Sequence, residues 1–380
     1  MIILGIETSC DETAAAIIRA TTKTKPVTVL SNIISTSLEF HAQTGGIIPE
    51  VAAREQLKFI IPVIDQAINE AQLGSSIQDL RPGIDAIAVT YGPGLIGSLL
   101  VGVETAKSLS YAWNKPLIPV NHLYGHLYAN WIETPDYRLP TTAQTENSTV
   151  VPLFPAIGLI ISGGHTDLVL MKDHGHIEWL GGTRDDAAGE AFDKIGRMLG
   201  LPYPSGHLME QKAKHGDPKR FTFPRPMIGT NDFDFSFSGL KAAASREITR
   251  LQGHSELVSE SPKGNSGSPS GTTRLDDQTI NDICAGIQEA IIRVVVKKTI
   301  RAAEKHQVKS ILLGGGVAAN QTLTDRIAFE IGNLKLDIAL SVPTKHLCTD
   351  NAAMIATAGF YNYKEVSWKD LTPNPELHFD

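Results

Sequence analysis

The segment "NHLYGHLYANW" sets His122 and His126 four residues apart. On a helix that spacing brings both imidazoles onto one face, with Cβ atoms roughly 5–6 Å apart. The pair can then grip one metal ion, or it is two ordinary surface histidines. A third ligand favours the first reading, and "HLCTDNAAM" offers Asp350 just before an apolar helical run. Two imidazoles and a carboxylate leave coordination positions open, as a catalytic metal needs. Iron and zinc suit this donor set equally, and magnesium is a further option. The HExxH base of metallopeptidases is absent, because only Leu123, Tyr124 and Gly125 lie between the histidines.

Four other stretches carry possible chemistry. In "ISGGHT", Gly163 and Gly164 allow close backbone approach and φ > 0, so that successive N–H groups can cradle an anion. A tight hairpin turn explains them as well. "LLGGGVAAN" puts glycines between a strand and a helix, a natural nucleotide site in which Asn320 suits a ribose or adenine contact. It matches neither the dinucleotide nor the P-loop pattern, and a packing turn is the alternative. "TSCDETA" places Asp11 and Glu12 at a turn, to hold a metal, orient water or act as a base, or simply to be solvated. In "RDDAAGEAFDK", Asp185 and Asp186 suit a helix start. Asp193 sits deeper beside Phe192, able to bond a ligand hydroxyl or to lie on a solvated face.

The elements needed to position these residues read as α/β. "IILGIE" and "TAAAII" flank the acidic tip as one hairpin, and "VTVLSNIIST" is a third strand. A helix opening at Pro49, the strand "IDAIAVT", a second helix and "PLIPV" follow. A second hairpin, "AIGLIISGGHTDLVLM", then begins the same order again. Such repetition implies two related lobes whose hairpin tips face each other across a cleft. The helix at "GGTRDDAAGEAFDKIGRMLG" has acids in front and Arg197 near its end. Residues 133–150 read as a polar loop, and 252–275, rich in Ser, Gly and Pro, as a disordered insert. A long helix, the strand "SILLG", another helix, the strand "LDIALSVP" and "NAAMIATAGFYNY" complete the chain.

Length and composition narrow the class. A chain of 380 residues suggests two domains, and 42% hydrophobic with 20% charged content is globular. A net charge of −7 argues against wrapping nucleic acid over the whole surface, though not against a local basic patch. Lys212, Lys214, Lys219, Arg220 and Arg225 form the best such cluster. Three scattered cysteines suggest neither disulfides nor a CxxC zinc site. No apolar run is long enough for a membrane span and no presequence is evident, so the expected location is the cytoplasm.

Taken together, "GIETSCDETAAAI", "HAQTGGIIPEVAAREQ", "YGPGLIGSLLVG", "NHLYGH", "ISGGHT", "DDAAGEAFDK", "FSFSGLK", "GGGVAAN" and "CTDNAAMIA" resemble, in order and context, the tRNA threonylcarbamoyladenosine transferases of bacterial type. The likeness runs from Ile3 to about Tyr363. It implies two actin-like (ribonuclease H-like) lobes around a nucleotide cleft. We expect residues 1–121 with 343–380 in one lobe and 122–342 in the other. The implied reaction moves the threonylcarbamoyl group from threonylcarbamoyl-AMP to the exocyclic amine of the adenosine beside the anticodon, in tRNAs reading codons that start with A. By the same resemblance His122, His126 and Asp350 hold one divalent metal, with iron favoured. The backbone of Ile160, Ile161, Ser162, Gly163 and Gly164, with Asp193, Gly206 and Asn320, holds the adenylate, and Asp11 assists transfer. Implied partners are tRNA, an inactive TsaB-like paralogue and a TsaE-like P-loop ATPase. "YPSGH" departs from the family's Tyr-Pro-Gly-Gly-Pro at Ser205 and His207, which puts the shape of that loop in question. A metallopeptidase, a small-molecule kinase of the same fold and a non-enzymatic scaffold are the rival readings.

Overall fold

A computed structural model describes residues 1–37, 46–73, 83–133, 151–258 and 275–379. Two five-stranded sheets organise the chain. The first contains β1 (Ile2–Glu7), β2 (Glu12–Arg19), β3 (Thr28–Thr36), β4 (Ala86–Gly92) and β5 (Leu117–Asn121), in the order β3-β2-β1-β4-β5. The second contains β6 (Ala156–Ile161), β7 (Thr166–Asp173), β8 (His176–Gly182), β9 (Ser310–Gly314) and β10 (Ala339–Ser341), in the order β10-β9-β6-β7-β8. Read from the central strand, the two orders are the same. In each sheet three strands form an antiparallel meander, and two more run parallel beside the first. This repeated order is the two-lobed, actin-like architecture. β1 and β6 lie mid-sheet, covered on both faces, and so read as unbroken apolar runs rather than alternating ones.

Parallel neighbours require crossover connections, and helices supply them. α1 (Pro49–Glu70) and α2 (Ile96–Trp113) cover one face of the first sheet, over Leu4, Ile6 and Ile17. α3 (His122–Tyr128) follows β5. α4 (Ala188–Met198), α5 (Gly206–Ala213), α6 (Ser238–Val258) and α7 (Asp277–His306) separate β8 from β9, and α8 (Gln321–Asn333) separates β9 from β10. α9 (Lys345–Cys348) and α10 (Ala352–Tyr361) complete the helices.

α10 is buried along its whole length, as an all-round apolar helix must be. It packs on β1 so closely that a Cβ at Gly5 would stand 2.2 Å from the Ala352 carbonyl oxygen. One apolar cluster joins Ile3 and Ala16 of the first sheet, Leu123 and Leu127 of α3, Ile355 of α10 and Ile160 of the second sheet. α3 and α10 therefore form the layer between the lobes, and that layer holds the site.

Some expectations shift. β8 has no counterpart in the sequence reading, and "LDIALSVP" shrinks to the three residues of β10. α6 continues to Val258, so the start of the expected insert is helical. The remainder of that insert, 259–274, and the expected loop at 134–150 lie outside the described residues. Asp185 and Asp186 do not start a helix. Asp185 accepts from the Phe237 and Ser238 N–H groups and from the Ser236 and Ser238 hydroxyls, fastening the front of α6. Asp186 takes Lys194 and Lys241 at 2.8 and 2.6 Å.

Candidate active site

α3 opens on Asn121, whose Oδ1 accepts the Leu123 N–H at 2.8 Å. The cap starts the helix one residue before His122 and sets both histidines on the side that meets Asp350. Two glycines allow the crowding there. A Cβ at Gly125 would stand 2.7 Å from Ile355 Cδ1, and one at Gly314 would stand 2.6 Å from the His126 carbonyl oxygen. Asp350 arrives from the turn before α10, which Asn351 caps by accepting the Met354 N–H.

His122 Nε2 lies 3.6 Å and His126 Nε2 3.3 Å from Asp350 Oδ1. One donor atom from each of the three residues falls within 4.8 Å of the others. His126 is 1% exposed, its Nδ1 has no hydrogen-bond partner among the described residues, and its Nε2 faces only Asp350 Oδ1. Leaving a buried polar group unpaired costs about 1–3 kcal/mol. A divalent cation between the three side chains would be ligated by the two Nε2 atoms and Asp350 Oδ1, so the donor set fits the implied metal.

Glu7 completes the arrangement, and sequence reasoning missed it. It is 1% exposed at the end of β1, with Oε2 3.1 Å from His122 Nδ1. Thr90 Oγ1 donates to Oε2 and the Ser9 N–H donates to Oε1, each at 2.5 Å. A carboxylate so fixed holds Nδ1 protonated and leaves Nε2 free to ligate. The available signal was a charge ending the apolar run "IILGI" of a central strand. Burial alone would lower the His122 pKa, but Asp350 and then Glu7 outweigh it and push it up to about 9. Burial likewise opposes the Asp350 charge, yet His122, His126 and His165 hold that carboxyl well below the usual range.

The two hairpin tips come together here. From the first, burial followed by Asp350 and Asp11 raises the Glu12 carboxyl. The Cys10 thiol is raised by burial and then by Asp11 and Asp350, which makes it a poor nucleophile. Asp11 is 8% exposed, so it is not a solvated turn acid. From the second tip, burial and then His122 and His126 hold His165 down to about 3. Tyr203, the first residue of "YPSGH", joins the group without having been a candidate site residue. Its phenol is raised by burial and then by Asp193, Asp11, Cys10 and Glu12.

The expected adenylate residues divide into two kinds. Ile160 and Ile161 pair within the sheet, with Asp167 and Thr166 respectively. The Ser162 N–H donates to the His165 carbonyl, and the Ser162 carbonyl accepts from Gly189. Gly163 and Gly164 are exposed, an added Cβ on either would meet nothing, and their N–H groups have no partner among the described residues. The expected φ > 0 is not found at this pair. It occurs at Gly315 (φ +93°), where a Cβ would stand 2.5 Å from the Ile161 carbonyl oxygen. Asp193 Oδ1 accepts the Ser205 and Gly206 N–H groups at 2.7 and 3.2 Å, and burial raises its carboxyl. The "YPSGH" turn is thus held in place. Buried Ser205 packs on Gly196, where no Cβ would fit, and its hydroxyl donates to the Pro202 carbonyl. Asn320 caps α8 by accepting from Leu323 N–H and donates to Gln288 Oε1, so its amide is largely spent on structure. The basic cluster is weaker than its sequence suggests. Arg220 is the counter-ion of buried Asp282 at 2.6 Å, and Lys212 faces Asp277 at 3.6 Å.

Among the described residues no helix is long and apolar enough to cross a membrane. The family model described as TsaD, tRNA N6-adenosine threonylcarbamoyltransferase, matches residues 28–357. Proteins of that name are similar over the full length. That of Thermomicrobium roseum is 46% identical, covering 100% of this chain and 96% of the relative. That of Syntrophomonas wolfei is 44% identical over 98% and 96%, and that of Staphylococcus saprophyticus 40% over 100% and 96%. Among solved structures, YeaZ from Pseudomonas aeruginosa overlaps 47% of this chain and 65% of its own at 13% identity and a TM-score of 0.28, too loose to bear on the fold. With relatives this similar along the whole chain, the protein belongs to the tRNA N6-adenosine threonylcarbamoyltransferase family.

Proposed function

We propose that this protein transfers a threonylcarbamoyl group from threonylcarbamoyl-AMP to the N6 amine of the adenosine beside the anticodon in tRNAs that read codons starting with A. The observation that carries this reading is the buried His122–His126–Asp350 set, whose two Nε2 atoms converge on Asp350 Oδ1, beside a hairpin tip with open N–H groups, in a chain of this family. The N6 lone pair is delocalised into the purine, so the acceptor is a poor nucleophile and positioning must do much of the work. The amine attacks the carbamoyl carbon, the bond from that carbon to the phosphate oxygen breaks, AMP leaves, and N6 gives up one proton.

The N–H groups of Gly163 and Gly164 are suited to the adenylate phosphate and to the negative charge it gains on leaving. Asp193 and Gly206 are suited to a ribose hydroxyl, and Asn320 contributes mainly by holding the start of α8. Asp11, buried beside Glu12, is the proposed acceptor of the N6 proton. His122, His126 and Asp350 would hold the metal, with Glu7 orienting His122. When bound, it would supply Lewis-acid polarisation of the group being transferred. Two imidazoles favour iron or zinc over magnesium, and iron is the proposed ion. We place the reaction in the cytoplasm, and the lobe division at 1–121 with 343–380 and 122–342.

A TsaB-like paralogue and a TsaE-like ATPase are the proposed partners. Leu57 and Ile61 on α1, with Ile96 and Leu100 on α2, stand exposed at one-turn spacing. This apolar face on two adjoining helices supports a protein partner there. For tRNA phosphates, exposed Lys214 and Lys219 are better suited than the paired Arg220.

The test measures metal content and transfer from synthetic threonylcarbamoyl-AMP to unmodified tRNA, with partner proteins present. His126→Ala is expected to lose the metal and to slow transfer by about a thousandfold. Full transfer by metal-free protein would refute the catalytic role of this centre.

A further inference from the structure

An open groove of about 800 Å³ lies on the side of α3 away from the metal ligands. Tyr124 lines it. At 100° per residue Tyr124 stands some 200° round the helix from both histidines, so the groove and the metal set lie about one helix diameter apart, ~10 Å. Trp179 and Phe379 form its aromatic walls. Trp179 is 43% exposed, so much of its ring faces solvent, which is uncommon for a tryptophan.

The ring is nevertheless held firmly. Its indole N–H donates at 3.0 Å to Asp167, a carboxylate 4% exposed, and the His378 ring meets it edge-on at 5.5 Å. Phe379 in turn stacks on Tyr124 at 5.8 Å. The groove is also tied to the site on two sides. The His378 carbonyl accepts from Asn121 Nδ2 at 2.9 Å, and Asn121 directly precedes His122. Asp167 lies two residues beyond His165 of the second hairpin tip. The rim offers no free cation, because Lys172 pairs with Glu178 at 2.8 Å, and the His176 ring lies against Asp173. Such a surface offers fixed π faces rather than charge. That is the requirement for stacking an unpaired nucleobase, and it does not suit a phosphate.

We infer that this groove is a nucleobase subsite, in which Trp179 stacks an unpaired base of the tRNA anticodon loop flanking the target adenosine. The inference rests on the proposed tRNA reaction, since only that reading brings a single-stranded loop to this face. Because the ring is already ordered by Asp167 and His378, little conformational freedom is lost on stacking.

The experiment uses the full chain with its partner proteins and an anticodon stem-loop RNA carrying the unmodified adenosine. Binding is followed by tryptophan fluorescence and by titration, with AMP binding and melting temperature measured alongside. Trp179→Ala is expected to bind the stem-loop about 5- to 100-fold more weakly, the size of one base–aromatic stack, with AMP affinity and melting temperature unchanged. Trp179→Phe should recover most of the affinity, and the transfer defect of Trp179→Ala should lie in KM for RNA. Stem-loop binding by Trp179→Ala equal to wild type would overturn the subsite alone. Equal loss in Trp179→Phe would also overturn it, by assigning the effect to the Asp167 bond. Failure of the wild type to bind any stem-loop while binding AMP would instead overturn the tRNA reading, and the subsite with it.

Discussion

The two hairpin tips occupy the same place in sheets of the same order, yet they have opposite chemistry. The β1–β2 tip carries Cys10, Asp11 and Glu12, and the field of Asp350 reaches Cys10 and Glu12. The β6–β7 tip is Ser162, Gly163, Gly164 and His165, with no acid and two exposed glycines. One tip concentrates negative charge beside the histidine pair, while the other presents bare N–H groups. A duplicated scaffold thus places a cation and proton site opposite an anion cradle. The difference lies mainly at the turns, while the strand order behind them is the same. Specialisation at so few positions is possible because loop tips tolerate more change than central strands.

The largest effect should come from the acidic side. Glu7→Gln keeps the shape but removes the charge that fixes His122, so metal affinity should fall about 10- to 100-fold, and the apo protein should stay folded with a lowered melting temperature because a buried acceptor is lost. An unchanged metal Kd would mean that the first tip's strand contributes packing only. On the glycine side, Gly164→Val adds bulk where a Cβ meets nothing, so folding should be unaffected. The adenylate KM should rise about tenfold, as expected for one blocked hydrogen bond, with metal content constant. If that variant lost metal instead, the division of labour between the tips would be wrong.

The smallest effect probes the seam that holds the two sheets together. His174 at the end of the β7–β8 hairpin stacks on Tyr361 of α10 at 4.4 Å and meets Tyr128 through Nδ1. Burial, and then Lys23, lowers its pKa from 6.5 to about 4. Between those values the unfolded chain binds the proton and the folded one does not, so stability falls as pH drops from 6.5 toward 4. His174 is half-exposed, which keeps the loss on the order of 1 kcal/mol. Urea midpoints at pH 7 and 4.5 would measure it, and His174→Phe should reduce the difference.

Much of the fold was legible because its signals are local. The run "IILGI" had to be a central strand, Pro49 opened a helix as its fixed φ allows, and the hairpins announced themselves by apolar runs around small polar tips. β8 was missed because "HIEWLGG" lies at a sheet edge and mixes exposed with half-buried positions, which blurs any period of two. Asp185 was misread because an acid at a helix front is normally a local cap, whereas this one bonds the start of α6 some 50 residues away. At Asn320, no sequence pattern reveals that Gln288 and the Leu323 N–H engage its amide.

What the sequence determined by itself was the repeat and the helical histidine pair, since both depend on spacings within a few residues. What only the tertiary structure decided was the company those histidines keep. Asp350 follows His122 by 228 positions (350 − 122), and Glu7 precedes it by 115. Their meeting depends on α10 lying on β1 at Gly5 and α3 wedging between β9 and α10, and close packing of that kind is a property of the folded chain alone.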